Sequence, residues 1–183
     1  MCKHNIITGE LLEAVGNEEL NIHGIAVNKD ISSGYLYAYG KANVEARGNS
    51  AVYAHGDSRV EAHDNSRVYA YSDSTVTAYG NSRVDANDKS RVKAHDNSRV
   101  YANDKSSVEA CDKSIVYTYK DSTVEAHSNS EVYAHDNSIV KAHDNSRVYA
   151  YSDSTVTAYG NSRVHAKDTS TVYANDNAKV TKF

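Results

Sequence analysis

The sequence predicts an all-β fold: a two-sided parallel β-solenoid with 16 residues per coil. Three observations carry this. Val recurs every eight residues from Val44 to Val180 without a miss. Within each unit, constant residues alternate with variable ones, the period of two that marks a strand with one buried face. The outward columns then repeat at twice the basic period. Tyr37, Tyr53, Tyr69, Tyr101, Tyr117, Tyr133 and Tyr149 fall on alternate units. So do Asn49, Asn65, Asn81, Asn97, Asn129, Asn145, Asn161 and Asn177, with Lys113 the exception.

The unit reads [N/D/K]-S-x-V-x-A-x-[D/G/S]. Ala follows Val by two places except at Thr118 and Lys182, and Ser precedes it by two except at Ala42 and Ala178. The stretch S-x-V-x-A is therefore a strand whose Ser, Val and Ala point inward, where packing limits the choice. The three residues between strands are rich in Asp, Asn, Gly and Lys, which suits a turn. A helix is excluded because residues at i and i+2 lie on different helical faces. Residues 65–84 are identical to residues 145–164, an offset of 80 that is a multiple of 16 and not of 24. A three-sided coil would scramble these columns, whereas a two-sided coil stacks all of them. Residues 36–182 then form about nine coils, a rod on the order of 43 Å long at about 4.8 Å per strand. Like residues stack on like, as strands in register require. The inward serines are expected to hydrogen-bond along the stack.

The ends differ from the middle. Residues 1–34 break the repeat and are expected to cap it, while residues 35–183 form the array. Thr8 to Gly16 (TGELLEAVG) reads as a short helix with Thr8 as N-cap and Gly16 just past its end. Leu11, Leu12 and Val15 would cover the first coil, and Leu20 and Ile22 keep the phase of the repeat. No comparable segment follows the array. Its last coils, through Val172, Val180 and Phe183, the single Phe, are expected to pair end to end in a homodimer.

Composition bounds the rest. Leu, Ile and Phe are scarce, Trp is absent, and Tyr, with 15 copies, is almost the whole aromatic content. A mean hydropathy of −0.67 alone suggests disorder, but a disordered chain has no reason to hold a phase. Pro is absent, as suits strands that donate hydrogen bonds to both sides. A net charge of −4 argues against a general nucleic-acid binder. Cys2 and Cys111 are isolated, so a reducing, cytoplasmic location is expected. No secretory leader pattern and no apolar run of membrane length is visible, and no membrane partner is expected.

The two faces differ in charge. Face A, which carries the Tyr column, has Arg67, Arg83, Arg99, Arg147, Arg163, Lys167 and Lys179 pointing outward against Asp85 and Glu131. Face B is nearly balanced, so the acidity lies in the turn aspartates along the two edges. The candidate partner-binding residues are Arg67, Tyr69, Tyr71, Arg99, Tyr101, Tyr117, Tyr119, Tyr133, Arg147, Tyr149 and Tyr151. Tyr and Arg dominate binding hot spots, and Tyr faces also stack on bases. The same Tyr ladder also serves as strand-to-strand packing with no partner.

Other chemistries lack their residues. P-loop, GxSxG, HExxH and CxxC patterns are missing, and no catalytic residue, cofactor or metal ligand is assigned. His63, His95, His127 and His143 share one column, with Cys111 one coil from His127, but these read as solvent-side residues without supporting partners. Calcium-binding β-rolls need G-G-x-G-x-D, whose glycines this octad lacks. Only Thr75-Val76-Thr77 and Thr155-Val156-Thr157 suit an ice-binding face, too few for that role.

The run D-S-T-V-T-A-Y-G-N-S-R-V at residues 73–84 resembles octapeptide-repeat proteins of bacteria and their phages, and the resemblance spans residues 36–182. In architecture the chain is similar to pentapeptide-repeat proteins, some of which are rod-shaped dimers that mimic duplex DNA and inhibit DNA-handling enzymes. This chain departs from them in its period of eight, its two-sided coil and its mixed surface charge. The residues are read as a non-enzymatic protein that binds a macromolecule through face A or an acidic edge; the specific form that the similarity implies is a bacterial or phage inhibitor of a nucleic-acid-handling host enzyme. A protein partner is expected. The alternatives are a structural spacer or assembly module, and direct nucleic-acid binding through the Arg/Tyr face.

Overall fold

A computed structural model describes the backbone of residues 6–7, 19–23 and 28–31, and residues 34–183 apart from 168. The described chain is a two-sided parallel β-solenoid of about nine coils with 16 residues between equivalent positions. Twelve strands form one sheet and ten the other, and successive strands alternate between the two. Every pairing is parallel and in register, so Val148 lies between Val132 and Val164, and Tyr133 beside Tyr149. The sheets also take in the strands Glu19–His23 and Asn28–Ile31, with Leu20 opposite Leu36. The helix expected at Thr8–Gly16 lies outside the described residues.

The regular strands are four residues long, as in Arg147–Ala150, so each begins just after the Ser. From Val52 to Val164 the valines are at most 3 % exposed, and the alanines that follow them are as deeply buried. The core is one continuous strip of Val and Ala between the sheets, broad in length and thin in section. Small side chains are required here because the two sheets close on each other at every turn.

The turn explains the last position of the octad. The residue there has a positive φ in every described turn, between 50° and 59° at the twelve non-Gly residues from Asp64 to Asp176. That left-handed region is costly for side chains with a Cβ, and Gly, Asn and Asp tolerate it best. Asp gains a compensating bond. The Asp64 carboxylate accepts the N–H of Gly48 at 2.9 Å, sixteen residues back, and Asp96 and Asp144 accept those of Gly80 and Ser128 at the same distance. Asp88, Asp112, Asp136 and Asp176 do likewise at 3.2 to 3.4 Å. The edge aspartates thus tie one coil to the one before it.

The buried serines behave differently from expectation. They point inward, but the Oγ atoms of Ser50, Ser66, Ser82, Ser146 and Ser162, among others, have no hydrogen-bond partner. Strands in register keep equivalent hydroxyls about 4.8 Å apart, too far to bond along the stack. Ser122 is the exception. It donates to the Tyr119 carbonyl at 2.6 Å and pairs with Thr118, which stands where other units have Ala.

Candidate functional site: the tyrosine and arginine face

All eleven candidate residues from Arg67 to Tyr151 lie on the 12-stranded sheet or where its strands enter the turn, and all point away from the core. Arg67, Arg99 and Arg147 are exposed, while the tyrosines are half-buried against one another. Tyr37, Tyr53 and Tyr69 form one stack with ring centroids 4.7 Å apart. Tyr101, Tyr117, Tyr133 and Tyr149 form a second with spacings of 4.9 to 5.0 Å. Asp85 occupies the rung between them. Arg83 reaches Asp85 at 3.4 Å and lies 4.4 Å over the Tyr101 ring, closing the lower end of the second stack. His165 closes its upper end against Tyr149 at 5.2 Å.

Tyr71 and Tyr119 belong to a second column at the outgoing edge of the same sheet. There Tyr71 stacks on His55 at 4.8 Å, and Tyr119 and Tyr151 sandwich His135 at 5.2 and 4.7 Å. The site is therefore two parallel ladders of planar rings. Stacking uses the ring faces, so ring edges and hydroxyls are what the sheet presents to a partner. Offset parallel stacking of this kind stabilises each pair by about 0.5–1.5 kcal/mol beyond burial.

Burial in the ladder changes the phenols. Tyr53 is held above the ordinary phenol range by desolvation and by its Tyr neighbours. Tyr133 is pushed up to about 12, first by desolvation and then by donating its hydrogen bond to Glu131 at 2.9 Å.

The opposite sheet carries a charge pair between neighbouring strands. Lys93 and Glu109 pair across adjacent rungs at 3.0 Å, which raises the lysine and lowers the carboxyl. At one edge Lys120 pairs with Asp104 at 2.6 Å. His127 and His143 stack face to face at 5.0 Å, with Tyr159 next in the column. The Nε2 atoms of both rings face the Glu125 Oε1, at 3.9 and 3.5 Å. Cys111 is held above the usual thiol range, chiefly by burial, and donates to Glu109 at 3.8 Å. Among the described residues no group of three or more His, Cys, Asp or Glu is placed to hold a metal ion.

Two further features were not identified in the sequence as sites. One is the carboxylate-to-amide tie at the edges. The other is a groove of about 490 Å³ where the Asn ladder meets the start of the 12-stranded sheet, lined by Asn145, Arg147, Asn161, Arg163, Asn177 and Lys179 together with Asn129. The recurring N-S-R-V was its signal, since Asn and Arg two residues apart flank one inward Ser.

At the C-terminus the core opens to solvent. Val164 is 1 % exposed, whereas Val180 is 37 % and Phe183 69 % exposed, and Val172 is only partly buried. The strands Thr171–Ala174 and Lys179–Lys182 end their sheets. No helix among the described residues is long and apolar enough to cross a membrane. Comparison with protein-family models, with curated proteins and with solved structures returns no match.

Proposed function

We propose that the protein is a non-enzymatic binding module, a stiff solenoid that docks a protein partner on its Tyr/Arg face. The observation that supports this is the pair of pre-stacked ring ladders bordered by exposed arginines. Side chains fixed by their neighbours lose little entropy on binding, and Tyr and Arg are the residues that most often anchor interfaces. The uniformity of the surface favours binding over catalysis, because each group repeats in a column of its own kind. The specific form we favour is a bacterial or phage inhibitor of a nucleic-acid-handling host enzyme, working in the cytoplasm. Affinity capture from bacterial lysate with wild type and a Tyr69→Ala/Tyr149→Ala variant tests the reading. Partners lost by a folded variant support it, and a variant that retains every partner overturns it.

The exposure of Val180 and Phe183 favours a second reading, assembly of two copies through the C-terminal coils. In that role the protein is a spacer or an assembly element. Sedimentation of wild type against Val180→Lys/Phe183→Glu tests it, with a dimer that dissociates in the variant as the expected result. A monomeric wild type at all concentrations removes this reading. Direct nucleic-acid binding by base stacking has weaker support, because the Tyr117 and Tyr133 ring faces are already covered on both sides.

A further inference from the structure

The groove at the border of the Asn ladder and the 12-stranded sheet carries a run of cations without acidic partners. Arg147 and Arg163 are register partners, and so are Arg163 and Lys179, so three cations stand one above another at strand spacing. Like charges on directly facing positions of neighbouring strands destabilise a sheet. Elsewhere the stack relieves this, as Lys93 with Glu109 and Lys120 with Asp104 show. Here it does not. None of Arg147, Arg163 and Lys179 makes a side-chain hydrogen bond or ion pair among the described residues. Glu131, the rung before Arg147, accepts the Tyr133 hydroxyl instead. Asn145, Asn161 and Asn177 line the other wall and are exposed.

The same N-S-R-V rungs occur earlier at Asn65/Arg67, Asn81/Arg83 and Asn97/Arg99. There the middle arginine is engaged by Asp85 and Tyr101. The later ladder is the one with every cation available.

We infer that this groove binds a chain of consecutive phosphates through its backbone charges alone. The inference goes beyond the docking face above and does not need the tyrosines. Arginine forks match phosphate oxygens two at a time, and side-chain amides add donors to the same oxygens. A phosphate chain offers an anion on every unit, and the long arginine and lysine stems reach successive anions without a strict match to the rung spacing. An acidic peptide is the competing ligand, and the polyglutamate arm of the test separates it from phosphate. With the Tyr faces occupied, sequence-specific stacking contributes nothing, so recognition is of charge and repeat. Single-stranded nucleic acid and inorganic polyphosphate share this chemistry.

The test uses the full chain with a labelled oligothymidylate and with polyphosphate, followed by fluorescence anisotropy across a salt series. Binding should weaken with salt at a log–log slope of about −2, the value for three phosphate contacts on a single strand. Arg147→Glu/Arg163→Glu/Lys179→Glu should abolish it. Arg147→Lys/Arg163→Lys, which relieves any doubt about folding, should keep a reduced affinity, about tenfold weaker. Tyr69→Ala/Tyr149→Ala should bind as wild type, which separates this site from the docking face. Competition between the two probes then shows which source of phosphates the groove prefers. The inference is overturned by no binding to either probe, by binding that survives the triple reversal in a folded variant, or by equal affinity for polyglutamate.

Discussion

Residues 65–84 and 145–164 have one sequence and two environments. Their local structure is the same. Ser72 and Ser152 sit at φ 59° and 50°, Gly80 and Gly160 at 64° and 63°, and the N–H groups of both glycines are accepted by the aspartate one coil on, at 2.9 and 3.2 Å. Their surfaces differ. Tyr69 is followed by Asp85, so its stack ends there, whereas Tyr149 lies between Tyr133 and His165. Arg67 is followed by an Arg83 tied to Asp85, and Arg147 by an Arg163 with no such tie. An octad fixes its own backbone, but the rungs above and below it decide its chemistry. The unit of function in this molecule is the column.

Paired substitutions in the two segments sharpen that contrast. The largest effect belongs to the core. Val68→Asp and Val148→Asp each bury an unpaired carboxylate among Val and Ala, and each should cost about 3 kcal/mol or more in chemical denaturation. In an array coupled only to neighbours, the coils on the short side of each substitution should unfold first, which hydrogen exchange would resolve. Equal loss of protection throughout would show that the rod unfolds as one unit.

Tyr149→Ala should cost more than Tyr69→Ala, by about 0.5–1.5 kcal/mol, because it breaks two ring stacks and not one. Equal costs would place the stabilisation in burial alone. Gly80→Ala and Gly160→Ala should each cost about 1 kcal/mol, and equally, since both require a Cβ in the left-handed region. That Cβ would come within 3.1 Å of the Asp64 amide nitrogen in one case and 3.2 Å of the Asp144 nitrogen in the other.

Ser66→Ala and Ser146→Ala should leave stability unchanged or raise it by up to about 1 kcal/mol, since each removes a buried hydroxyl without a partner. A loss above that size would reveal a hydrogen bond to these hydroxyls. A last effect is confined to high pH. Tyr133 ionises at about 12 in the fold against an ordinary 10, so its contribution to stability is complete below pH 10 and lost as pH rises through 12. Glu131→Gln should bring its ionisation to lower pH in a spectrophotometric titration, by removing the carboxylate that holds the proton.

The coil length was legible because Tyr37, Tyr53 and Tyr69 with Asn49, Asn65 and Asn81 mark alternate octads, and only a 16-residue coil stacks both sets. The inward set was legible from its constancy. What Asp64 or Asp96 does was not, because its partner is a backbone N–H sixteen residues away, and any residue there offers the same group. The serines misled because inward polarity suggests a partner, while register fixes a spacing at which none is reached. The Asn145–Lys179 groove was missed because Asn and Arg were assigned to separate features, an edge ladder and a face, and the groove is their common border.

The aspartate ties give the rod a direction of growth. In every carboxylate-to-amide tie the carboxylate reaches back to an amide laid down sixteen residues earlier; the forward bonds of Asp104 and Asp153 are to side chains, those of Lys120 and Thr169. A chain leaving the ribosome N-terminus first would therefore seal each finished winding with the next one made. Elongation then resembles the knitting of a row onto a held edge. Deleting whole windings from the C-terminus should shorten such a rod in even steps of stability, and a chemical-denaturation series of such truncations would show an abrupt collapse instead if the windings are not laid down independently.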